Sequence, residues 1–540
     1  MNPTDRIFIV NNIKLPVNAS FEEAFSVAKD RARKAGISSP RDFRIYRRST
    51  DARRKDAIVF VYSVSFKANG APRAEKLSRF DISVSSAVEE IKYEIGSLPL
   101  TARPVVVGSG PAGIFAALIL AERGYFPIVL ERGGSVSERL SALECFRKTR
   151  ILNTETNIQF GAGGAGTFSD GKLVTRINDP LCSYVLRRFV EFGAPEQILY
   201  VAKPHIGTDI LLKVVDNVLT YIEALGGKIL YNTRFENFSA MGGDVLAVNT
   251  SKGEIKAGAL VLAVGHSARD TYKTLIDKGV ALEAKSFSVG MRIEHLAEDI
   301  DTALYGDMAG NSSLGHAEYN LSDNTKERGV YTFCMCPGGE VVAATSEEGG
   351  VVVNGMSKYK RDGKNSNSAV CCTVFKEDFD KTPLGAIEYQ RNIERKAFIA
   401  GGSDYSAPII TVGDFISGKI KNEPKRIMPT YMSGGGVRLA MPDEYLPRTV
   451  TDAIRAALSS FDKKIHGFAA SDAVFTGAET RTSAPVRILR SAEARTALGY
   501  SNFYPAGEGA GYAGGITSAA VDGIKTALAL MKKYMPNEQQ

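Results

Sequence analysis

The chain has 540 residues, more than one hydrophobic core accommodates, so several domains are expected. Its apolar fraction of 44% and charged fraction of 24% are those of an ordinary globular protein and require neither disorder nor membrane residence. The net charge of +7 does not by itself imply nucleic-acid binding. No secretory signal or long apolar run is visible, which predicts a cytoplasmic location, and the six cysteines are expected to be reduced thiols.

Residues 1–95 predict a small α+β domain. The expected order is a strand at Arg6–Val10, a helix at Phe21–Ala35, two strands around the charged turn Asp51–Asp56, and a helix before Gly96. This order favours a ferredoxin-like sandwich in shape only, because the cysteine pattern of an iron–sulfur cluster is missing. Residues 97–104, with Pro99 and Pro104, are predicted to be a hinge.

A strand, a glycine turn and a helix follow one another after Pro104. The strand is Val105–Val107, the turn is Gly108-Ser109-Gly110-Pro111-Ala112-Gly113, and the helix ends before Gly124. Gly108 permits the sharp turn, Gly110 lets the backbone approach a pyrophosphate, and Gly113 lets the helix pack closely. The next strand ends in Glu131, where a carboxylate binds an adenosine ribose. These features predict a dinucleotide site and leave FAD and NAD open as its ligand.

The far end of the chain resembles a flavin signature. Residues 502–516 contain a strand, Gly507-Glu508, and Gly514-Gly515 before a helix that starts at Ile516. They resemble the C-terminal signature of glutathione-reductase-like flavoproteins, in which the acid of a Gly-Asp pair binds the ribityl chain. Glu508 replaces the aspartate with one more methylene. The resemblance implies FAD, and the N–H groups at the helix start are expected to stabilise negative charge on the flavin.

The middle of the FAD domain is predicted from residue 208 to residue 265. A helix at Thr208–Leu225, a strand at Ile229–Tyr231, three short β-like pieces starting at Phe235 and a strand at Ala259–Gly265 follow one another. Phe235 and Gly265 are cofactor-binding candidates, the latter because its strand resembles the Ala-Thr-Gly segment of the same superfamily. Arg132 and Arg139 resemble the segment that follows the ribose-binding acid, so Arg139 is either a phosphate partner or a plain surface arginine.

Four further segments carry a resemblance to a family. They are 163–172, 287–295, 334–339 and 479–487. Together they are similar to the uncharacterised bacterial family of FAD-dependent dehydrogenases, from about residue 85 onward. This resemblance implies an α/β fold in which a Rossmann-type FAD-binding domain, 96–284 and 486–540, holds an inserted, mainly β substrate domain at 285–485. It also implies that Gly164, Ala165, Gly166 and Thr167 contact the flavin.

Substrate-facing residues are harder to predict than the cofactor site. Arg292 and Arg481 are candidates for holding an anionic substrate, and Cys336 for facing the flavin in a redox disulfide. The spacing of Cys334, Cys336 and the adjacent pair at 371–372 does not fit common zinc knuckles, so no metal is predicted and buried structural thiols are favoured. No catalytic residue is identified.

The leading functional hypothesis is an FAD-dependent oxidoreductase that moves a hydride through the flavin. No second GxGxxG has the right context, so any NAD(P)H donor is expected to bind transiently over the flavin. A flavin monooxygenase is the second enzyme hypothesis. The alternative from another class is a nucleic-acid-associated flavoprotein with a basic N-terminal module. Core packing explains its interleaved aromatic residues more simply, and the predicted partner is a small molecule rather than a membrane.

Overall fold

Residues 6–69, 72–85, 91–324 and 327–536 are described by a computed structural model of the chain. They divide into two units, of which the first comprises 1–92, 195–205 and 298–317 and the second comprises 93–194, 206–297 and 318–540. The predicted N-terminal domain was 1–95. The first unit also includes the later segments 195–205 and 298–317, which that prediction did not contain. Among the described residues, no helix combines the length and the apolar character needed to cross a membrane.

The first unit contains one four-stranded antiparallel sheet. Its elements are β1 Arg6–Pro16, α1 Phe21–Lys34, β2 Ser38–Asp51, β3 Val59–Asn69, α2 Ala74–Arg79 and β4 Ile82–Ser85. The strand order is β2-β3-β1-β4, and helix α1 begins with a capping box between Ser20 and Glu23. The aromatic residues Phe60, Tyr62 and Phe66 alternate along β3 and are buried. They form the core of this unit instead of an aromatic binding surface.

Two details of the first unit differ from the sequence predictions. The helix expected before Gly96 corresponds in chain order to α2, but α2 already ends at Arg79, and residues 91–96 contain no helix. Strand β4 was not predicted, because four residues are too few for a clear alternation pattern.

The second unit begins with an α/β arrangement. Its elements up to residue 284 are β5 Pro104–Val107, α3 Pro111–Glu122, β6 Ile128–Leu130, α4 Val136–Thr149, α5 Leu181–Glu191, α6 Thr208–Ala224, β7 Lys228–Leu230, β8 Phe235–Met241, β9 Asp244–Thr250, β10 Gly253–Lys256, β11 Ala259–Leu262, α7 Arg269–Asp277 and β12 Leu282–Ala284. Strands β8, β9 and β10 form the predicted meander.

The later part of the second unit contains the remaining elements. They are β13 Phe287–Leu296, α8 Ala297–Tyr305, whose residues from Glu298 onward belong to the first unit, β14 Ser322–Asp323, β15 Val330–Cys336, β16 Glu340–Ala343, β17 Val353–Met356, β18 Asn365–Val374, α9 Pro383–Ala400, β19 Ala407–Thr411, α10 Val412–Ser417, β20 Val437–Leu439, α11 Arg448–Lys464, β21 Val474–Glu479, β22 Val486–Ile488, β23 Phe503–Pro505 and α12 Ile516–Lys533.

A five-stranded parallel sheet positions the predicted dinucleotide turn. Its order is β23-β11-β5-β6-β7, and all four residues of β5 are buried, as expected for a strand covered on both faces. The strand order reverses beside β5, where the next strand along the chain, β6, lies on one side and β11 on the other. Ligands of such sheets bind in the crevice at the carboxyl ends of these strands. The turn at Gly108 lies at that point.

The predicted hinge at 97–104 is bonded into the second unit. The amides of Gly96 and Leu98 donate to the carbonyls of Met531 and Lys533, at 2.8 and 3.3 Å. Gly96 packs so closely on the backbone of Lys533 that a β-carbon there would overlap it. These hydrogen bonds hold the segment on the end of α12, which corrects the prediction of a hinge.

A seven-stranded sheet occupies the later part of the second unit, in the order β14-β15-β18-β13-β21-β19-β20. Strands β12 and β22 pair, and the amide of Lys285 donates to the carbonyl of Pro485 at 2.8 Å, so the chain enters and leaves this part side by side. Helices α9 and α11 have 18 and 17 residues and pack on the sheet. The segment is therefore mixed α/β, which corrects the expectation of a mainly β segment.

Candidate functional site

The glycine turn at 108–113 has the geometry that brings backbone amides toward a ligand. Gly108 has a φ of +95°, and its amide donates to the carbonyl of Leu130 at 2.7 Å. A β-carbon on Gly108 would overlap the carbonyl oxygen of Ala263, and one on Gly113 would overlap that of Gly108. Gly110 is different, because the nearest heavy atom to a β-carbon there, the Cα of Gly164, is 3.9 Å away.

Helix α3 opens toward this free space. Gly110 is its N-cap and supplies no side chain, while Pro111 occupies the first turn and Ala112 is buried. The first N–H groups of the helix therefore lack a capping partner from the N-cap residue. An anion placed there would meet both free N–H donors and the positive end of the helix.

Glu131 is buried and ties three loops together. One carboxylate oxygen accepts from the amide and hydroxyl of Ser109 at 3.1 and 2.6 Å, and the other accepts from the amides of Gly133 and Gly161, both at 2.9 Å. A carboxylate offers about four acceptor positions, so these donors use all of them. The ribose contact stays a prediction, and it would require one of these internal hydrogen bonds to open.

The two arginines that follow Glu131 are already paired. Arg132 donates to Glu155 at 2.9 Å and to Asp270 at 3.0 Å. Arg139 is fully buried and donates to the carbonyls of Asn157, Ile158 and Ala162 at 2.6–2.8 Å. The structure therefore places Arg139 neither on a phosphate nor at the surface. It corrects both expectations, because the loop at 157–162 encloses the guanidinium group.

The loop from Gly161 to Lys172 lies against the glycine turn. The amide of Gly163 donates to the carbonyl of Ser109 at 3.1 Å, and a β-carbon on Gly164 would come within 2.9 Å of the Cα of Gly110. Ala165 begins a 3-10 turn, and Gly166 lies next to Ile516. The hydroxyl of Thr167 is buried and finds no hydrogen-bond partner within the described ranges of the chain. The structure therefore brings together three segments that are far apart in sequence, and it leaves a buried polar atom among them.

The C-terminal segment completes this arrangement. Gly507 has a φ of +76°, and its amide donates to Asp522 on α12 at 2.7 Å. Glu508 is half-buried, and no group in the described part of the chain donates a hydrogen bond to its carboxylate. Burial raises the pKa of Glu508 to about 7, against the opposing charge of Lys285. A carboxylate held in this way gains from a ligand that donates hydrogen bonds to it.

The start of α12 is open. Gly515 is the N-cap and provides no side-chain hydrogen bond, and a β-carbon on Gly514 or Gly515 would meet no atom within 4 Å. A β-carbon on Gly265, which has a φ of +72° in the loop after β11, would also meet no described atom within 4 Å. Together with Gly110 and Glu508, these openings suit an extended ligand with phosphate and hydroxyl groups. The residues present fit FAD.

Sequence reasoning missed two residues that hold the site together. The hydroxyl of Tyr272 lies within hydrogen-bonding distance of the carbonyls of Gly265 and Gly509, at 3.1 and 2.8 Å, and its single proton is donated to one of them at a time. Asp522 accepts from Arg490 at 2.8 Å as well as from Gly507. Both residues were recognisable in the sequence. Tyr272 lies seven residues after Gly265, and Asp522 is an acidic residue within the apolar sequence of α12.

Phe235 and the three substrate-facing candidates are not exposed. Phe235 packs in the hydrophobic core, and Cys336 is buried. Arg292 is fully buried and donates to Glu479 at 3.0 Å and to Asn367 at 2.6 Å. The Arg481 side chain is only 4% exposed. Internal partners satisfy Arg292 and Arg481, which corrects the prediction that these two arginines hold an anionic substrate.

A polar cavity of about 480 Å³ lies near Arg481. Its lining includes Arg269, Arg391, Glu347 and Glu394. Glu394 accepts from Arg269 at 2.7 Å and from Arg481 at 2.9 Å. Although burial acts in the opposite direction, Arg269 and Arg481 hold the pKa of Glu394 well below its usual range. The cavity wall is therefore a network of charged pairs.

Comparison with known proteins gives two matching family models. One, described as FAD-dependent protein, C-terminal domain-like, matches residues 286–482. The other, described as a domain of unknown function (DUF8436), matches residues 9–67. Among solved structures, L-amino acid deaminase from Proteus vulgaris is 12% identical with a TM-score of 0.35, covering 83% of this chain and 94% of that one. L-proline dehydrogenase from P. horikoshii is 13% identical with a TM-score of 0.32, covering 80% and 93%. At such low TM-scores these two likenesses assign nothing to this chain.

A full-length relative is known from sequence. A protein of Clostridium beijerinckii, described as uncharacterized, is 45% identical over 536 residues, which are 97% of this chain and 98% of the relative. The match at 286–482 is to an FAD-dependent protein, and the glycine turn, the open start of α12 and Glu508 fit that cofactor. FAD is accordingly the cofactor. The chain therefore belongs to the bacterial family of FAD-dependent dehydrogenases that its motifs resemble.

Proposed function

We propose that the chain is an oxidoreductase that transfers a hydride between a small-molecule substrate and FAD. One observation carries the proposal: the glycine turn, the loop at 163–167 and the start of α12 converge on a space in which Glu508 has no hydrogen-bond partner among the described residues. When bound, FAD supplies a ring that accepts or donates a hydride. The chain's own residues bind, orient and tune it.

Each of these residues has a distinct task in the proposal. The N–H groups at the start of α3 bind the pyrophosphate, and Gly110 allows it to approach. Glu508 accepts hydrogen bonds from the ribityl hydroxyls. The N–H groups at the start of α12 would stabilise negative charge on a flavin bound beside them. Tyr272 keeps the loops at Gly265 and Gly509 in register, which holds Glu508 at a fixed distance from α12.

We also propose a finer domain description. The antiparallel order β2-β3-β1-β4 supports a ferredoxin-like class for the N-terminal unit. The pairing of β12 with β22 supports 285–485 as an insertion between the two parts of the FAD-binding domain. In this description the inserted part supplies the substrate side of the site.

The purified protein is expected to be yellow and to release FAD on denaturation. The reason is that Gly108–Gly113 and the start of α3 form a site for a diphosphate, which FMN lacks. Chromatography of the released flavin distinguishes the two, and anaerobic photoreduction followed by a panel of acceptors tests the redox function. Release of FMN would contradict the cofactor site. A flavin that cannot be reduced and reoxidised in the protein would contradict the proposed function.

Placing an acid at the start of α12 is expected to make the bound flavin harder to reduce. Gly514→Asp adds a carboxylate in open space beside the helix start, where it competes with negative charge on the ring. An interaction of about 0.5–2 kcal/mol at a helix terminus corresponds to a reduction potential lower by about 10–40 mV. Gly514→Asn is the matched neutral control. Redox titration measures the reduction potential of both variants. Equal potentials would show that the start of α12 does not lie beside the flavin ring.

A further inference from the structure

Strand β15 ends in two cysteines at an irregular position of the sheet. Phe333 pairs with Ala369 on β18 and Cys336 pairs with Asn367, so two residues of β15 lie opposite one residue of β18. Such a bulge redirects side chains. Cys334 has a φ of +46°, in the left-handed region that residues other than glycine rarely adopt. The thiol of Cys336 donates to the backbone carbonyl of Cys334 at 3.3 Å, which keeps the two cysteines close together at the bulge.

Two cations contact this short segment. Arg292 donates to the carbonyl of Cys334 and, through Nη2, to the Sγ of Cys336 at 3.4 Å. Lys172 donates to the carbonyl of Met335. The buried pair between Arg292 and Glu479 keeps the guanidinium group in place. Positive charge beside a thiol favours the thiolate, which is the nucleophilic form.

The two thiols differ in their affinity for a proton. The hydrogen bond from Cys336, followed by the charges of Arg292 and Lys172, lowers the pKa of Cys334 to about 6, although burial opposes it. The hydrogen bond with Cys334 and burial raise the pKa of Cys336 well above its usual value. Asp170, Glu479 and Tyr319 also face the pair, and Asp170 acts against the thiolate. At neutral pH the pair therefore shares one proton, which stays on Cys336.

The other sheet cysteines lack these features. Cys371 and Cys372 lie opposite Tyr331 and Val330, about 13–17 Å along the strand from the position opposite Cys336. Burial raises the pKa of both thiols. Cys334 is half-buried, whereas Cys336, Cys371 and Cys372 are buried. Only the bulge pair combines partial exposure, a neighbouring thiol and neighbouring cations.

We propose that Cys334 and Cys336 are a redox-active dithiol that reduces small-molecule disulfides, with Cys334 as the attacking sulfur. The Cys334 thiolate attacks a disulfide R–S–S–R, forming a Cys334–S–S–R bond and releasing R–S⁻. The released R–S⁻ accepts the proton of Cys336 and leaves as R–SH. The Cys336 sulfur attacks the Cys334 sulfur and releases a second R–S⁻. The pair is oxidised to a disulfide, and the substrate is reduced to one thiol and one thiolate. This activity goes beyond the proposed flavin function and does not depend on it.

The full-length, FAD-bound protein provides the first test. Its cysteines are alkylated with iodoacetamide over a range of pH and quantified by peptide mass spectrometry, with N-acetylcysteine measured in parallel. Alkylation of Cys334 is expected to level off by about pH 7, whereas an ordinary thiol continues to gain reactivity to about pH 8.5 and beyond. A Cys334 profile that follows N-acetylcysteine would overturn the proposal.

Treatment with bis(2-hydroxyethyl) disulfide provides the second test. The wild-type protein is expected to lose two hydrogen atoms by forming the Cys334–Cys336 bond, mapped by mass spectrometry without reduction. Cys336→Ser is expected to accumulate a mixed disulfide on Cys334, and Cys334→Ser to form neither product. Cys145→Ser, which changes an exposed cysteine on α4, is the control and should behave as wild type. If the treated wild-type protein carries a mixed disulfide only at Cys145 and its Cys334 and Cys336 remain reduced, the proposal is overturned, whatever the variants show.

Discussion

Gly110→Val is expected to abolish FAD retention while the chain stays folded. In the FAD-free protein the new side chain meets little, because the nearest heavy atom to a β-carbon at Gly110 is 3.9 Å away. The backbone there, with a φ of −72° and a ψ of 177°, suits valine. The side chain would instead fill the space in front of α3 that the pyrophosphate needs. We expect a loss of at least 100-fold in FAD affinity, or about 3 kcal/mol.

The flavin absorbance of the purified variant and the melting temperature of the FAD-free protein measure these two effects. Gly113→Ala is the informative comparison, because its β-carbon would overlap the carbonyl oxygen of Gly108. It should lose stability as well as flavin, whereas Gly110→Val should lose flavin only. Full flavin content in Gly110→Val would place the pyrophosphate elsewhere.

Glu508→Gln is expected to weaken FAD binding and to stabilise the FAD-free protein. Loss of charge-assisted hydrogen bonds to the ribityl chain costs about 1–3 kcal/mol, or roughly 5- to 150-fold in affinity. In the FAD-free protein, burial raises the pKa of Glu508 to about 7 from the ordinary 4.5. The folded chain therefore binds more protons than the unfolded chain between these pH values, and its free energy of unfolding falls as the pH rises through that window. Glutamine carries no charge, so the variant does not lose this free energy of unfolding. At pH 8 its gain over the wild type is at most about 3 kcal/mol, because solvent partly screens a half-buried carboxylate.

Calorimetric titration of the FAD-free proteins with FAD measures the first effect. Thermal unfolding at pH 5 and pH 8 measures the second, and the stabilisation should be present at pH 8 and small at pH 5. Glu508→Asp is the matched control, since it keeps the charge and should retain most of the affinity. An unchanged FAD affinity in Glu508→Gln would mean that this carboxylate does not hold the ribityl chain.

The dinucleotide turn was predictable because its determinants are local. Gly108, Gly110 and Gly113 are within six residues of one another, and the strand before them and helix after them have clear apolar patterns. Helix α6 was likewise predicted over Thr208–Leu225 and is observed over Thr208–Ala224. Both predictions rest on residues within a short stretch: the glycines that a tight turn requires and the apolar periodicity of a helix. Both patterns are visible in a single sequence.

The roles of charged residues in the middle of the chain were not predictable in this way. Arg292 and Glu479 are 187 positions apart and meet only because β13 and β21 pair. Arg139 resembles a phosphate ligand in sequence, yet the carbonyls of a loop about twenty residues later enclose it. A guanidinium group binds a carbonyl, a carboxylate or a phosphate through the same donors, so its partner depends on what the fold brings within reach.

Sequence by itself determined the FAD-binding fold, the turn at 108–113 and the Glu508 segment, because each is a contiguous pattern. Only the tertiary structure decided that Glu131 is satisfied internally, that no described residue donates a hydrogen bond to the Glu508 carboxylate, and that a bulge of β15 holds Cys334 and Cys336. The physical reason is that burial and hydrogen-bond satisfaction are properties of surroundings assembled from distant segments. Residue identity specifies which bonds a side chain is able to make, and the packed neighbours determine which of them it makes.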